Sequence, residues 1–263
     1  MSILWVSSMS KELYDKYGQH LIDSFKLHLP TQHLWVTYDD ETAPFVDNPP
    51  HLTSYSLSKS KLLKKFFKKN KSHIPTKYGG LMSDAELHNT HKFNRRWFNW
   101  YKKVHTLFLA TEVFTFQQRY RYIVWIDCDC VITQSISNPE LWVQKILCRE
   151  MKEYSIAYFL GQIRQKKDKG IESGLVFFDC KAKGVELIKQ WHNIYWEKKY
   201  YTYPRWDDGY LLKILIEQIL TSGEKKSLSI DLGLASTSRD THVMSGCSLW
   251  KYIQHHKGES NLN

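Results

Sequence analysis

The chain has 263 residues, a mass of 31.3 kDa and 37 Lys+Arg against 27 Asp+Glu, a formal net charge of +10. Hydrophobic residues at 42% and charged residues at 24% exclude a disordered or collagen-like chain, and the length suits one large domain, read as residues 1–263. Five Cys without regular spacing argue against a disulfide framework, no run approaches the ~18 apolar residues of a membrane span, and no basic signal-peptide start is visible, so a globular, cytoplasmic protein is expected.

Residues 3–6 form a short apolar run that predicts a buried strand. Between residues 11 and 29, Leu13, Tyr17, Leu21, Phe25 and Leu29 recur at four-residue steps, which predicts a helix with one apolar face. Pro30 ends it, and residues 33–38 predict a second strand with Asp39, Asp40 and Glu41 at its carboxyl end. Open α/β sheets bind ligands beyond that end of their strands. Residues 42–58 are rich in Pro, Ser and Thr and read as a loop. Residues 59–71 interleave lysines with Leu62, Leu63, Phe66 and Phe67. Such a basic amphipathic helix either docks by its apolar stripe with the lysines solvated or faces an anionic surface.

A long aromatic helix is predicted over 93–118, and residues 122–126 (Tyr-Ile-Val-Trp-Ile) are the clearest buried strand. Two more strands are expected over 155–160 and 174–178, helices over 139–151, 182–197 and 207–220, and a last strand near 228–231. Helices alternating with strands predict an α/β protein with a mainly parallel sheet flanked by helices.

The strand over 122–126 ends in Asp127-Cys-Asp129, followed by Cys130. In an extended chain, alternation would set both carboxylates on one side and Cys128 and Cys130 on the other. Paired carboxylates repel unless a cation lies between them, and hard oxygen donors suit Mg²⁺ or Mn²⁺ bridging to phosphates. The alternative is that one Asp caps a turn and the other is solvated. A zinc site through Cys128 and Cys130 is not expected, because alternating thiols lack the C-x₂-C spacing and nearby partners.

Two families share the motif. A hydrophobic strand followed by Asp-x-Asp-x-Val resembles the nucleophile motif of haloacid dehalogenase-like phosphatases, where Asp127 would attack phosphorus and Asp129 act as acid/base. That family's later acidic pair ends an apolar strand, whereas Asp207-Asp208 follows Tyr-Thr-Tyr-Pro-Arg-Trp206. Asp127-Cys-Asp129 also resembles the DxD motif of nucleotide-sugar glycosyltransferases with the GT-A fold. Glu172-Ser-Gly-Leu-Val-Phe-Phe-Asp179 is similar to an acceptor-side strand of some of them, and Trp206-Asp-Asp-Gly209 opens a helix where they often keep an Asp near the sugar. His255-His-Lys-Gly258 resembles the H-x-K-G element whose first His completes the metal site. This order of short motifs, spread over residues 1–258, resembles the glycogenin-like and xyloglucan xylosyltransferase-like families. It departs after Gly258, where the glycogenin-like pattern continues to Lys-Pro-Trp and this chain has Glu259-Ser260.

The resemblance implies a Rossmann-like GT-A fold and metal-dependent transfer of a sugar from a nucleoside diphosphate sugar, with retention of configuration. It implies Mn²⁺ or Mg²⁺ held by Asp127, Asp129 and His255, and Asp207 or Asp208 orienting the donor or stabilising the oxocarbenium-like centre. Arg96, Lys103, Lys257 and the Gly258 amide would contact the donor, and Glu172 and Trp206 would face the acceptor. The acceptor would be a saccharide or, as the positive charge suits, a hydroxymethylated base in phage-type DNA. The plainer readings keep His255 as a surface histidine, Arg96 and Lys103 on a solvated helix face, and Trp206 in the core. A non-catalytic basic nucleic-acid-binding protein would need no paired carboxylates at all.

Overall fold

The computed structural model describes residues 2–47, 51–70, 97–115, 120–143, 173–181, 183–219 and 252–256. Strand β1 (Ser2–Met9) is the apolar run expected at the start of the chain, extended at both ends. Ser10 caps the next segment, its Oγ accepting from the Leu13 amide at 3.2 Å. The chain passes through a π-helical stretch, Tyr14–Gly18, into helix α1 (Gln19–His28). Tyr17, Leu21, Phe25 and Leu29 are buried as predicted, but Leu13 is 40% exposed. The wider π turn breaks the four-residue register, so the residue preceding it leaves the apolar face.

Strand β2 (His33–Tyr38) follows, and then β3 (Leu52–Ser56), which lies inside the segment expected to be a loop. Leu-Thr-Ser-Tyr-Ser lacks an apolar run because β3 is an edge strand, buried only at its two ends. Pairing with β2 makes it a strand, in the register Leu34↔Leu52 to Tyr38↔Ser56. Ser60 caps helix α2 (Lys61–Lys69), which buries Leu63 and Phe66 and turns its lysines outward.

Helix α3 (Trp97–Ala110) precedes β4 (Tyr120–Ile126), the short strand β5 (Cys130–Ile132) and β6 (Leu175–Asp179). Helix α4 (Gly184–Trp196), helix α5 (Asp208–Ile219) and β7 (Ile253–His255) complete the described chain. The strands expected over 155–160 and 228–231 lie outside the described residues, as do Arg96, Glu172, Lys257 and Gly258.

The main sheet has the order β3-β2-β1-β4-β6. Its first four strands are parallel, whereas β6 runs antiparallel to β4. Both faces are buried, as parallel sheets require. Ile3, Trp5, Tyr122, Val124 and Ile126 pack towards Leu21, Ile22 and Phe25 of α1. Leu4, Val6, Ile123 and Trp125 pack on the other face against α3, α4 and α5, among them Tyr101, Trp191 and Leu212. The result is an α/β sandwich whose parallel strands all end at one edge. Among the described residues, no helix is long and apolar enough to cross a membrane.

Candidate active site

The carboxyl end of β4 carries the acidic motif, and the backbone there is not extended. The Cys130 amide donates to the Asp127 carbonyl at 3.0 Å, closing a tight turn over residues 127–130. This corrects the expectation of strand-like alternation: Asp127 and Asp129 are the first and third residues of a turn, and it is the turn that leaves both carboxylates towards His255. Cys128 is 8% exposed, and burial followed by the Asp129 and Asp127 charges holds its thiol well above its ordinary pKa.

The second carrier is β7. It pairs antiparallel with β5 in the register Cys130↔His255, and the His256 amide donates to the Asp129 carbonyl at 2.8 Å. The imidazole is therefore delivered to the turn by a strand more than a hundred residues away. His255 Nε2 lies 2.8 Å from Asp129 Oδ1 and 3.8 Å from Asp127 Oδ2, and its side chain is fully buried. It is not a surface histidine. Gly174 makes the approach possible, since a Cβ there would lie 2.5 Å from His255 Cε1 and 3.2 Å from Asp127 Oδ2. Its carbonyl in turn accepts from the Asp127 amide at 2.8 Å.

The third component is Lys103, projected from α3 beneath the turn. Its Nζ is 3.0 Å from Asp127 Oδ1 and 2.9 Å from Asp208 Oδ2, and it also donates to the Ser173 carbonyl. Burial works against its charge, but the two carboxylates prevail and raise its pKa above the ordinary lysine value. Lys103 is thus not on a solvated helix face. Trp125 Nε1 donates to the same Asp127 oxygen at 2.6 Å, leaving Oδ2 to look towards His255. Ser173 Oγ donates to Asp208 Oδ2 at 2.7 Å.

The two aspartates at the start of α5 have different surroundings. Asp207 is its N-cap, with Oδ1 accepting from the Tyr210 amide at 3.0 Å and Oδ2 gripped by Arg205 Nε at 2.8 Å. Burial, then the Asp208 charge, raise its carboxyl pKa, while Arg205 opposes them. Asp208 turns the other way, into the cluster with Lys103 and Ser173. Trp206 is 4% exposed, its ring edge-on to Tyr200 and Tyr201 and its Nε1 donating to the Tyr203 carbonyl at 3.0 Å. The indole anchors the loop that carries the two aspartates, and this packing leaves no open ring face for an acceptor.

Asp127, Asp129, His255, Lys103 and Asp208 therefore meet in one cluster, with Asp207 behind it. Sequence reading missed Trp125, Ser173, Gly174 and Arg205. Gly174 lies inside the Glu172–Asp179 motif, but the need for glycine arises from His255, remote in sequence. The other three hold carboxylates through contacts that no spacing rule encodes.

The donor set fits a divalent cation. Asp129 Oδ1 lies 2.8 Å and Asp127 Oδ2 3.8 Å from His255 Nε2, carboxylate oxygens and an imidazole nitrogen of the kinds that Mn²⁺ and Mg²⁺ sites use, with Asp127 standing outside the tighter group that Asp129 and His255 form. The thiol of Cys130 also has neighbours: one donor atom each of Asp129, Cys130 and His255 lie within 4.8 Å of one another. The expectation that the thiols lack nearby partners is thereby corrected for Cys130.

No protein-family model and no curated protein sequence matches the chain. Among solved structures it is similar to the apo-form glycosyltransferase GlyE of Streptococcus pneumoniae TIGR4, at 10% identity and a TM-score of 0.47. The likeness covers 83% of this chain but 44% of that GlyE chain, so the chain spans about half its length. At that distance no residue role carries across.

Proposed function

We propose that the protein is a glycosyltransferase of the GT-A type that moves a sugar from a nucleoside diphosphate sugar to an acceptor hydroxyl. The observation that carries the reading is the convergence of Asp127, Asp129 and His255 at the carboxyl end of β4. An α/β sheet binds its ligands at that end. A bound Mn²⁺ or Mg²⁺ would offset the charge of the departing diphosphate as a Lewis acid. Asp129 Oδ1, Asp127 Oδ2 and His255 Nε2 are the atoms that would hold it.

The rest of the cluster has work of its own in this reading. Lys103 and Trp125 fix one oxygen of Asp127, so its other oxygen keeps one orientation. Asp208, held by Lys103 and Ser173, is the carboxylate next to the metal-binding residues and the better candidate to face the sugar. Asp207 is the cap that holds the start of α5 in position. Arg96, Lys257 and the Gly258 amide remain proposed donor contacts, and Glu172 a proposed acceptor contact. We assign the acceptor as a saccharide and the reaction as retaining, in a cytoplasmic setting where thiols such as Cys130 stay reduced.

The test is donor turnover. The protein is incubated with a panel of nucleoside diphosphate sugars and Mn²⁺, and release of the nucleoside diphosphate is followed with and without saccharide acceptors. One donor should be consumed, with Asp129→Ala and His255→Ala reducing the rate at least about a hundredfold. Unchanged rates in both variants would overturn the assignment. Turnover of generic phosphoesters instead would favour the phosphohydrolase reading with Asp127 as nucleophile.

A further inference from the structure

We propose that Cys130 is a further protein donor at this site, and that with Asp129 and His255 it makes a mixed oxygen, nitrogen and sulfur pocket for a borderline divalent ion such as Zn²⁺ or Co²⁺. Cys130 and His255 are directly opposed in the β5–β7 pair, so their side chains lie on the same face of this two-stranded sheet. Both are buried, and donor atoms of Cys130, His255 and Asp129 lie within 4.8 Å of one another. Donor atoms around one tetrahedral zinc-sized ion are about 3.6 Å apart, so side-chain movements of about an ångström close the set.

The choice of ion follows from the donors. Oxygen-only shells suit Mg²⁺, imidazole suits transition metals, and a thiolate selects the softer ones. Cys128, the neighbouring thiol in sequence, is not one of the residues whose donor atoms come together there. On coordination the Cys130 S–H bond is exchanged for an S–metal bond and the proton leaves to the buffer, with no change of oxidation state. The inference uses the metal role proposed above for Asp129 and His255, but is independent of glycosyl transfer.

The test uses Co²⁺ alone as probe. The full chain, kept reduced, is titrated with Co²⁺ and followed by thiolate-to-cobalt charge-transfer absorption in the near ultraviolet. Cys130→Ser and Cys130→Ala are titrated beside it, Ala covering the case in which a buried serine hydroxyl prevents folding. The wild type should develop the band and both variants should lose it. Zn²⁺, measured by competition, should bind the variants about tenfold or more weakly, while Mn²⁺ affinity changes less than about twofold. A band or a Zn²⁺ affinity unchanged in the variants overturns the inference. A nucleotide response that needs Mn²⁺ and survives in the variants, without any cobalt band, removes Cys130 and leaves the transferase reading standing. A cobalt band with no response to any nucleotide does the reverse.

Discussion

Lys103 is the one cation bonded to both Asp127 and Asp208 among the described residues, and it is 7% exposed. Replacing it by methionine keeps the length of the side chain and removes the charge, leaving two carboxylates close together without their shared partner. Breaking a buried ion pair from one side costs about 3–5 kcal/mol. Urea melts of Lys103→Met should show a loss of that order, and a loss below about 1 kcal/mol would mean the lysine is not what holds the cluster together. The paired aspartates should separate in the same experiment. Asp207→Ala removes both a helix cap and the partner of Arg205 and should cost more than the about 1 kcal/mol of a cap alone, with Asp207→Asn recovering the cap but not the ion pair. Asp208→Asn should instead lower donor turnover far more than stability. The acidic motif was legible from sequence because a wholly apolar strand ends in it. The division of labour between Asp207 and Asp208 was not, since it depends on Arg205 reaching one and Lys103 the other.

Three helices are tied together through a buried polar chain. Ser60, the cap of α2, bonds His105 Nε2 of α3 at 2.8 Å, and His105 Nδ1 meets His192 Nε2 of α4 at 3.1 Å, where Tyr101 also bonds. Burial, then the neighbouring imidazole, lower the His105 pKa to about 3, and burial lowers that of His192 to about 4 against the opposing effects of Asn193 and Glu112. The unfolded chain titrates both near 6.5, so between that pH and the folded values it binds protons that the folded protein excludes. Stability should therefore fall as pH is lowered through this window, by roughly 2 kcal/mol for each histidine at about pH 5. Melts of the wild type and of His105→Gln/His192→Gln at several pH values check this. The double variant should show a flatter dependence, and an equally steep one would place the acid sensitivity elsewhere. At this scale the sequence revealed β1, β2, β4, β6 and the five helices α1 to α5, whose apolar patterns are strong. It concealed β3, an edge strand without an apolar run, and the reversal of β6, because strand direction leaves no mark in a local pattern. It also concealed β7, three residues that become a strand only by pairing with β5.

For the molecule as a whole, a net charge of +10 attracts any polyanion, so DNA binding by itself says little about the acceptor. The lysines of α2 point away from the apolar side that docks the helix, consistent with a solvated basic face. DNA affinity should fall about a thousandfold between about 50 mM and about 200 mM salt, as phosphate contacts do. Turnover on a saccharide should change little over that range, and a salt-sensitive reaction that needs DNA would move the acceptor to nucleic acid. The α/β class was legible in the alternation of helices and strands. What makes a site of it, two sheet systems meeting at one strand end, arises from contacts between distant segments. Nucleotide and metal should bind at that end together. The measurement is thermal unfolding with a panel of nucleoside diphosphates, with and without Mn²⁺. Binding to the native state at about a hundred times Kd adds roughly 2.7 kcal/mol, several degrees for a protein of this size. One nucleotide should give such a shift, only when Mn²⁺ is present, and Asp129→Ala should lose it. No shift with any nucleotide, or a shift that persists without the metal and in the variant, would contradict a metal-dependent transferase.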